Sequence, residues 1–180
     1  MRRQAVARYT FRRAGITLDA PSNWRKGPLL KRLIYPHQPE LFGPNNEYIG
    51  FDSVDTLDRA ATVAEASVLL RDEIVARGNK LVTLSSLEVG GKEQATAIFD
   101  KPMPGVPREM MRMKKYRVSL AGNVFTVTAN LSFEGRNSPG GEPSPYRRGD
   151  VLTPDSRRTI FYSEEGYDRI VQSIVARPVS

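Results

Sequence analysis

The sequence predicts an α+β domain in which an antiparallel β-sheet is flanked by helices, and three observations predict it. Phe125, Val127, Ala129, Leu131 and Phe133 alternate with Thr126, Thr128, Asn130 and Ser132, so one face of a strand is core and the other polar. Gly90-Gly91 and Ala121-Gly122-Asn123 separate β-prone segments, as short hairpin turns with positive φ require. Two stretches with helical spacing interrupt and close these strands. The order strands, helix, antiparallel strands, helix suits a layered sandwich rather than a parallel α/β sheet.

Taken in order, Tyr9-Thr10-Phe11 and Ile16-Thr17-Leu18 form a first hairpin around Gly15. Pro21 to Asn23 breaks the chain before Trp24. Leu29 to Tyr35 is an apolar, β-prone run and is expected to be a strand. Pro36 to Asn46, with three prolines and a glycine, reads as loop, and Tyr48 to Val54 as a further strand. A helix is expected from Val63 to Arg77, because Thr62-Val63-Ala64-Glu65 fits a capping box and Gly78-Asn79 supplies the stop. Val63, Ala66, Leu70 and Ile74 share its buried face. Leu81 to Val89 and Ala95 to Phe99 pair across Gly90-Gly91. Lys101 to Pro107 holds three prolines and reads as a connection. Met113 to Leu120 and Val124 to Phe133 form the strongest hairpin. The segment 134–152 is a Gly/Pro-rich surface loop insertion within a single domain spanning 1–180. Thr153-Pro154-Asp155 then opens a last helix, with Thr153 as N-cap and Ile160, Tyr167, Ile170, Val171 and Ile174 along its face; Gly166 kinks or splits it.

Charge is distributed unevenly. All of the net +7 lies between Met1 and Glu40, where Arg2, Arg3, Arg8, Arg12, Arg13, Arg25, Lys26, Lys31 and Arg32 face only Asp19 and Glu40; the remaining 140 residues balance to zero. Focused potential of one sign steers encounter with an acidic partner before contact is made. These nine residues are therefore the candidate partner-binding set. With no cysteine, disulfides, thiolate metal sites and cysteine nucleophiles are excluded. No segment approaches the roughly 20 apolar residues of a membrane span. The opening Met1 to Arg8 lacks an apolar stretch, so the chain as given carries no complete export signal and reads as cytoplasmic.

Catalytic and metal constellations are weak. His37, the only histidine, lies between prolines and reads as an ordinary loop residue, since neither a zinc site nor a Ser-His triad can be completed around it. Asp52, Asp55 and Asp58 recur every third residue, but a calcium site needs more oxygen ligands and a glycine-bent loop; a solvated face is the simpler reading. Glu88 and Glu93 flank a hairpin turn, where a glycosidase-like pair would lack a cleft. Trp24 reads as a core plug with its N–H satisfied. No catalytic residue, metal or cofactor is expected.

The stretch Gly15-Ile16-Thr17-Leu18-Asp19-Ala20-Pro21-Ser22-Asn23-Trp24 resembles the opening of the PsbP-like superfamily, where a strand of the form Gly-apolar-x-apolar leads into Pro-x-x-Trp. Leu33-Ile34-Tyr35 looks like that family's next strand, Asn45 to Phe51 like the one after, and Tyr167 to Ile174 like its closing helix. The resemblance implies an α/β/α sandwich and work done by binding, as in the photosystem II extrinsic subunit, the Ran-binding import factor, DcrB-like lipoproteins and effector chaperones. The expected function is a non-catalytic binding or assembly subunit that docks a larger complex, photosynthetic or otherwise membrane-associated, through the basic N-terminal region. Two alternatives stand beside it: a nucleic-acid-binding protein using the same residues, and a chaperone or adaptor of the DcrB-like type. Were Met1 to follow a removed leader, the thylakoid lumen or periplasm would replace the cytoplasm. The loops at Pro36 to Asn46 and 134–152 depart from the family's pattern.

Overall fold

In the computed structural model, which describes residues 4–53, 60, 62–103, 106–136, 152–153 and 156–177, the chain opens on the expected hairpin. Strand β1 (Val6–Phe11) turns through a short 3-10 segment at Arg12–Ala14 into β2 (Ile16–Pro21). Gly15 makes the turn possible with φ of 66°, and an added Cβ would lie 3.1 Å from the Arg177 carbonyl oxygen. Along β2, Ile16, Leu18 and Ala20 are buried while Thr17 and Asp19 are not, which is the period-two pattern of a half-buried strand.

The main sheet follows as β3 (Arg25–Lys26), β4 (Glu40–Phe42), β5 (Tyr48–Ser53), β6 (Lys80–Val89), β7 (Lys92–Met103), β8 (Val106–Leu120), β9 (Asn123–Arg136), β10 (Leu152–Thr153) and β11 (Ser156–Ile160), with α1 (Leu29–Ile34), α2 (Val63–Ala76) and α3 (Glu164–Gln172) between or after them. A last strand, β12 (Val175–Ala176), pairs with β2. Among the described residues the order β3-β4-β5-β9-β8-β7-β6 is antiparallel throughout. Strand β9 is the hub: β8 pairs along one side, while β5 and then β11 share the other, opposite 125–129 and 132–136. Gly90 and Gly91 turn β6 into β7 with φ of 62° and 77°, and Ala121 and Gly122 turn β8 into β9 with 50° and 77°. Both pairs have the positive φ at two central residues that tight hairpins favour.

Adjacent lysines on β8 locate the layers. Lys115 pairs with Glu73 of α2, whereas Lys114 pairs with Glu164 and Asp168 of α3. Neighbouring strand residues point to opposite faces, so α2 and α3 cover opposite sides of the sheet. On one side Leu70 and Ile74 pack on Ala95, Ala97, Phe99 and Met113. On the other, α3 and the β1–β2 hairpin enclose Trp24, Tyr116, Phe125, Val127, Leu131, Tyr167 and Ile170. Phe125, Val127, Leu131 and Ile170 are buried as expected. The Thr62 hydroxyl caps α2 by accepting from Glu65 N, as the capping box requires.

Four local expectations are overturned. Leu29 to Ile34 is helix, not strand, entered after Pro28, with Arg32 N donating to Pro28 O at 3.1 Å. The Pro36 to Asn46 loop contains β4, whose register Glu40↔Gly50 and Phe42↔Tyr48 extends the sheet. The connection at Lys101 to Pro107 is mostly strand: β7 runs through Pro102 to Met103 and β8 begins at Val106, with an irregular register at Pro102, where a residue without N–H is tolerated. The helix expected from Thr153 begins only at Glu164. Ser156 to Ile160 instead pairs with β9, which offers an unpaired edge beyond β5, and the cap is Ser163, accepting from Gly166 N at 3.0 Å beside Glu164 and Glu165. Gly166 sits in that first turn rather than at a kink. Of the 134–152 insertion, 134–136 ends β9 and Leu152 belongs to β10; the rest lies outside the described residues.

Candidate docking site

The first hairpin and the chain that follows it bring four of the basic residues, Arg12, Arg13, Lys26 and Arg32, to one place. Tyr9 fixes it: its hydroxyl lies 2.8 Å from Pro21 O and 2.7 Å from Trp24 O, tying the chain after β2 back to β1. Strand β3 therefore starts beside the end of β1. The Lys26 ammonium donates to Thr10 O at 2.6 Å and stands 4.8 Å from the Phe11 ring centroid. Arg12 and Lys26, far apart along the sequence, are neighbours here.

The nine candidate residues separate into three groups. Arg2 and Arg3 lie outside the described residues. Arg8 and Lys31 are neutralised locally, Arg8 by a two-point contact with Asp19 across the hairpin at 2.9 and 3.2 Å, and Lys31 by Glu40. The Arg8 guanidinium holds the Asp19 carboxyl below its ordinary range. The remaining five, Arg12, Arg13, Arg25, Lys26 and Arg32, meet no carboxylate among the described residues.

Four of these five, Arg12, Arg13, Lys26 and Arg32, wall a single concavity of about 170 Å³ together with Thr10, Phe11, Tyr35, Pro36 and Pro39. No acid lines it. Burial, followed by the nearby charges of Arg32 and Arg12, lowers the pKa of Lys26. The Arg32 Nε is buried with no hydrogen-bond partner among the described residues. Uncompensated cations gathered in one hollow, one with an unused donor, are suited to receive an anionic group, and the arginine forks suit carboxylate or phosphate.

Sequence reasoning missed what adjoins this hollow. As a strand, Leu29 to Tyr35 would have buried half its side chains; as α1 it buries none, and Leu29, Leu30, Leu33, Ile34 and Tyr35 are 52% to 69% exposed. The i, i+4 pairs Leu29/Leu33 and Leu30/Ile34 following Gly27-Pro28 were the available signal.

The other candidates remain dispersed. His37 is exposed in its loop. Asp52 is exposed on β5, and Asp55 and Asp58 lie outside the described residues. Glu88 and Glu93 face each other across the β6–β7 hairpin, both exposed. Trp24 is buried, edge-on to Tyr162 and Tyr167 at 5.2 and 6.0 Å, but its Nε1–H finds no acceptor among the described residues, contrary to expectation. Among the described residues no three His, Asp or Glu side chains are grouped to hold a metal ion.

No protein-family model matches this sequence, and no curated protein does. Among solved structures the chain is similar to cyanobacterial PsbP (CyanoP) from Synechocystis sp. PCC 6803, determined in solution, with a TM-score of 0.48 and 10% identity over 71% of this chain and 81% of that one. The α+β class rests on the antiparallel registers described above.

Proposed function

We propose that this protein is a non-catalytic binding subunit that docks a larger acidic partner through its basic N-terminal region, with Arg12, Arg13, Arg25, Lys26 and Arg32 as the contacting set and Arg2 and Arg3 extending it. The observation that carries this reading is the convergence of Arg12, Arg13, Lys26 and Arg32 on one hollow with no acid in its wall. Burial first, and then the neighbouring charges of Arg32 and Arg12, disfavour the charged form of Lys26, and an anionic partner offsets both.

Reversing Arg12, Arg13, Arg25 and Lys26 to Glu together is expected to weaken capture of partners from a nuclease-treated extract, chiefly by slowing association, and raised salt should mimic it. Reversing Arg71, Arg77, Lys80 and Lys92 should do far less. Equal losses from the two sets would leave only a generally basic protein. Capture abolished by nuclease, with a steep salt slope, would give precedence to nucleic acid.

A further inference from the structure

Helix α1 carries Leu29, Leu33, Leu30 and Ile34 along one face, yet all four are exposed. With Lys31 and Arg32 on its other face, a helix of this pattern ordinarily turns its apolar stripe to a core. Exposed apolar patches of this kind mark contact surfaces. The hollow beside it carries charge of one sign, lined by Arg32 of α1 with Arg12, Arg13 and Lys26, while Glu40 pairs with Lys31 outside that lining.

A purely charged surface, such as a nucleic-acid backbone, would satisfy the cations and leave four aliphatic side chains in water. A bilayer with anionic headgroups satisfies both. Apolar side chains seated at the acyl boundary beside cations at the phosphate level are how interfacial segments bind, and two weak signals together hold where one does not. At six residues α1 is far shorter than the roughly 20 that cross a bilayer, so the contact is with the surface.

We propose that α1 seats this protein on an anionic phospholipid bilayer, with Leu29, Leu30, Leu33 and Ile34 entering the interface and Arg12, Arg13, Lys26 and Arg32 engaging headgroup phosphates. This rests on the docking reading above and names the acidic surface that the cations meet.

The test uses the full chain with phosphatidylcholine vesicles, with and without phosphatidylserine. The protein should sediment with the anionic vesicles and not with the neutral ones. Replacing Leu29, Leu30, Leu33 and Ile34 together by Ser should lower partitioning at least about tenfold, since each aliphatic side chain leaving water contributes on that scale. Unchanged thermal unfolding would show that the variant folds. Independently, Leu30→Trp should shift its fluorescence to the blue on anionic vesicles, against the constant signal of buried Trp24. Failure of the protein to sediment, or a Leu30→Trp spectrum that does not move, overturns the proposal. If capture of a protein partner then still depends on Arg12, Arg13, Arg25 and Lys26, the docking reading survives. Vesicle binding lost on charge reversal but indifferent to the four serines is electrostatic adsorption, and also overturns the seating of α1. Indifference of every readout to charge reversal removes the docking reading itself.

Discussion

Replacing Lys114 by Met removes a buried cation while keeping most of the alkyl stem that packs under α3. The side chain is 5% exposed, and its ammonium lies 2.7 Å from Glu164 Oε1 and 2.8 Å from Asp168 Oδ1; Tyr116 donates to the same Asp168 oxygen at 2.7 Å. Removing one partner of a fully buried pair costs about 3–5 kcal/mol, because the other charge is left uncompensated. Here Asp168 and Glu164 are 21% and 45% exposed, so water compensates part, and Tyr116 still serves Asp168. The expected loss is about 2–3 kcal/mol. Lys115→Met is the internal comparison, since that side chain is equally buried but its partner Glu73 also has the Arg77 guanidinium at 3.2 Å. Its loss should be nearer about 1.5 kcal/mol, the lower end of the range for hydrogen bonds to charged groups, because Glu73 keeps a second cation. Urea unfolding of both variants measures the difference. Adding Asp168→Asn and Glu164→Gln to Lys114→Met should recover much of the loss, because the uncompensated charges are gone. Equal losses for the two lysines, or no recovery, would refute the view that uncompensated carboxylates rather than lost packing set the magnitude.

Gly166→Ala places a Cβ 2.2 Å from Tyr162 Cε1, on a ring held edge-on by Trp24 at 5.2 Å and Tyr167 at 5.0 Å. It should destabilise by about 1–3 kcal/mol despite the better helix propensity of Ala, and Tyr162→Ala should relieve it; a neutral midpoint in urea would mean that the ring yields freely. Tyr48, Tyr116 and Tyr167 all have pKa values raised first of all by burial. Their contribution is intact below the unfolded value of about 10 and is lost as pH climbs from there toward the folded values, by about 1.4 kcal/mol per pH unit for each phenol. Stability measured at about pH 9 and about pH 11 should fall accordingly, and Tyr116→Phe should flatten the slope by one such share; an unchanged slope would show that Tyr116 ionises as freely in the fold as outside it.

Where residues answered to local rules, the sequence was read correctly. Val63 to Ala76 is capped by its own Thr62, and the β6–β7 and β8–β9 hairpins turn on pairs of residues that accept positive φ, so neither needs distant information. The failures all concern what lies beside a segment. Ser156 to Ile160 is strand because β5 stops short on the edge of β9, and nothing within those five residues announces the vacancy that they fill. Glu40 to Phe42 joins the sheet because Tyr48 to Gly50 lies opposite, although the flanking prolines read as loop. Burial determines the outcome for the basic cluster in the same way. Composition marks nine cations, but only tertiary pairing separates Arg8 and Lys31, which meet Asp19 and Glu40, from the four that share a hollow. The misread α1 follows a different logic. Its leucines carry the apolar signal of a buried strand, yet among the described residues nothing covers them. A β-prone apolar run that folds as an exposed helix beside uncompensated charge is where local propensity and the intrachain core disagree, and such disagreements concentrate at surfaces that meet something else.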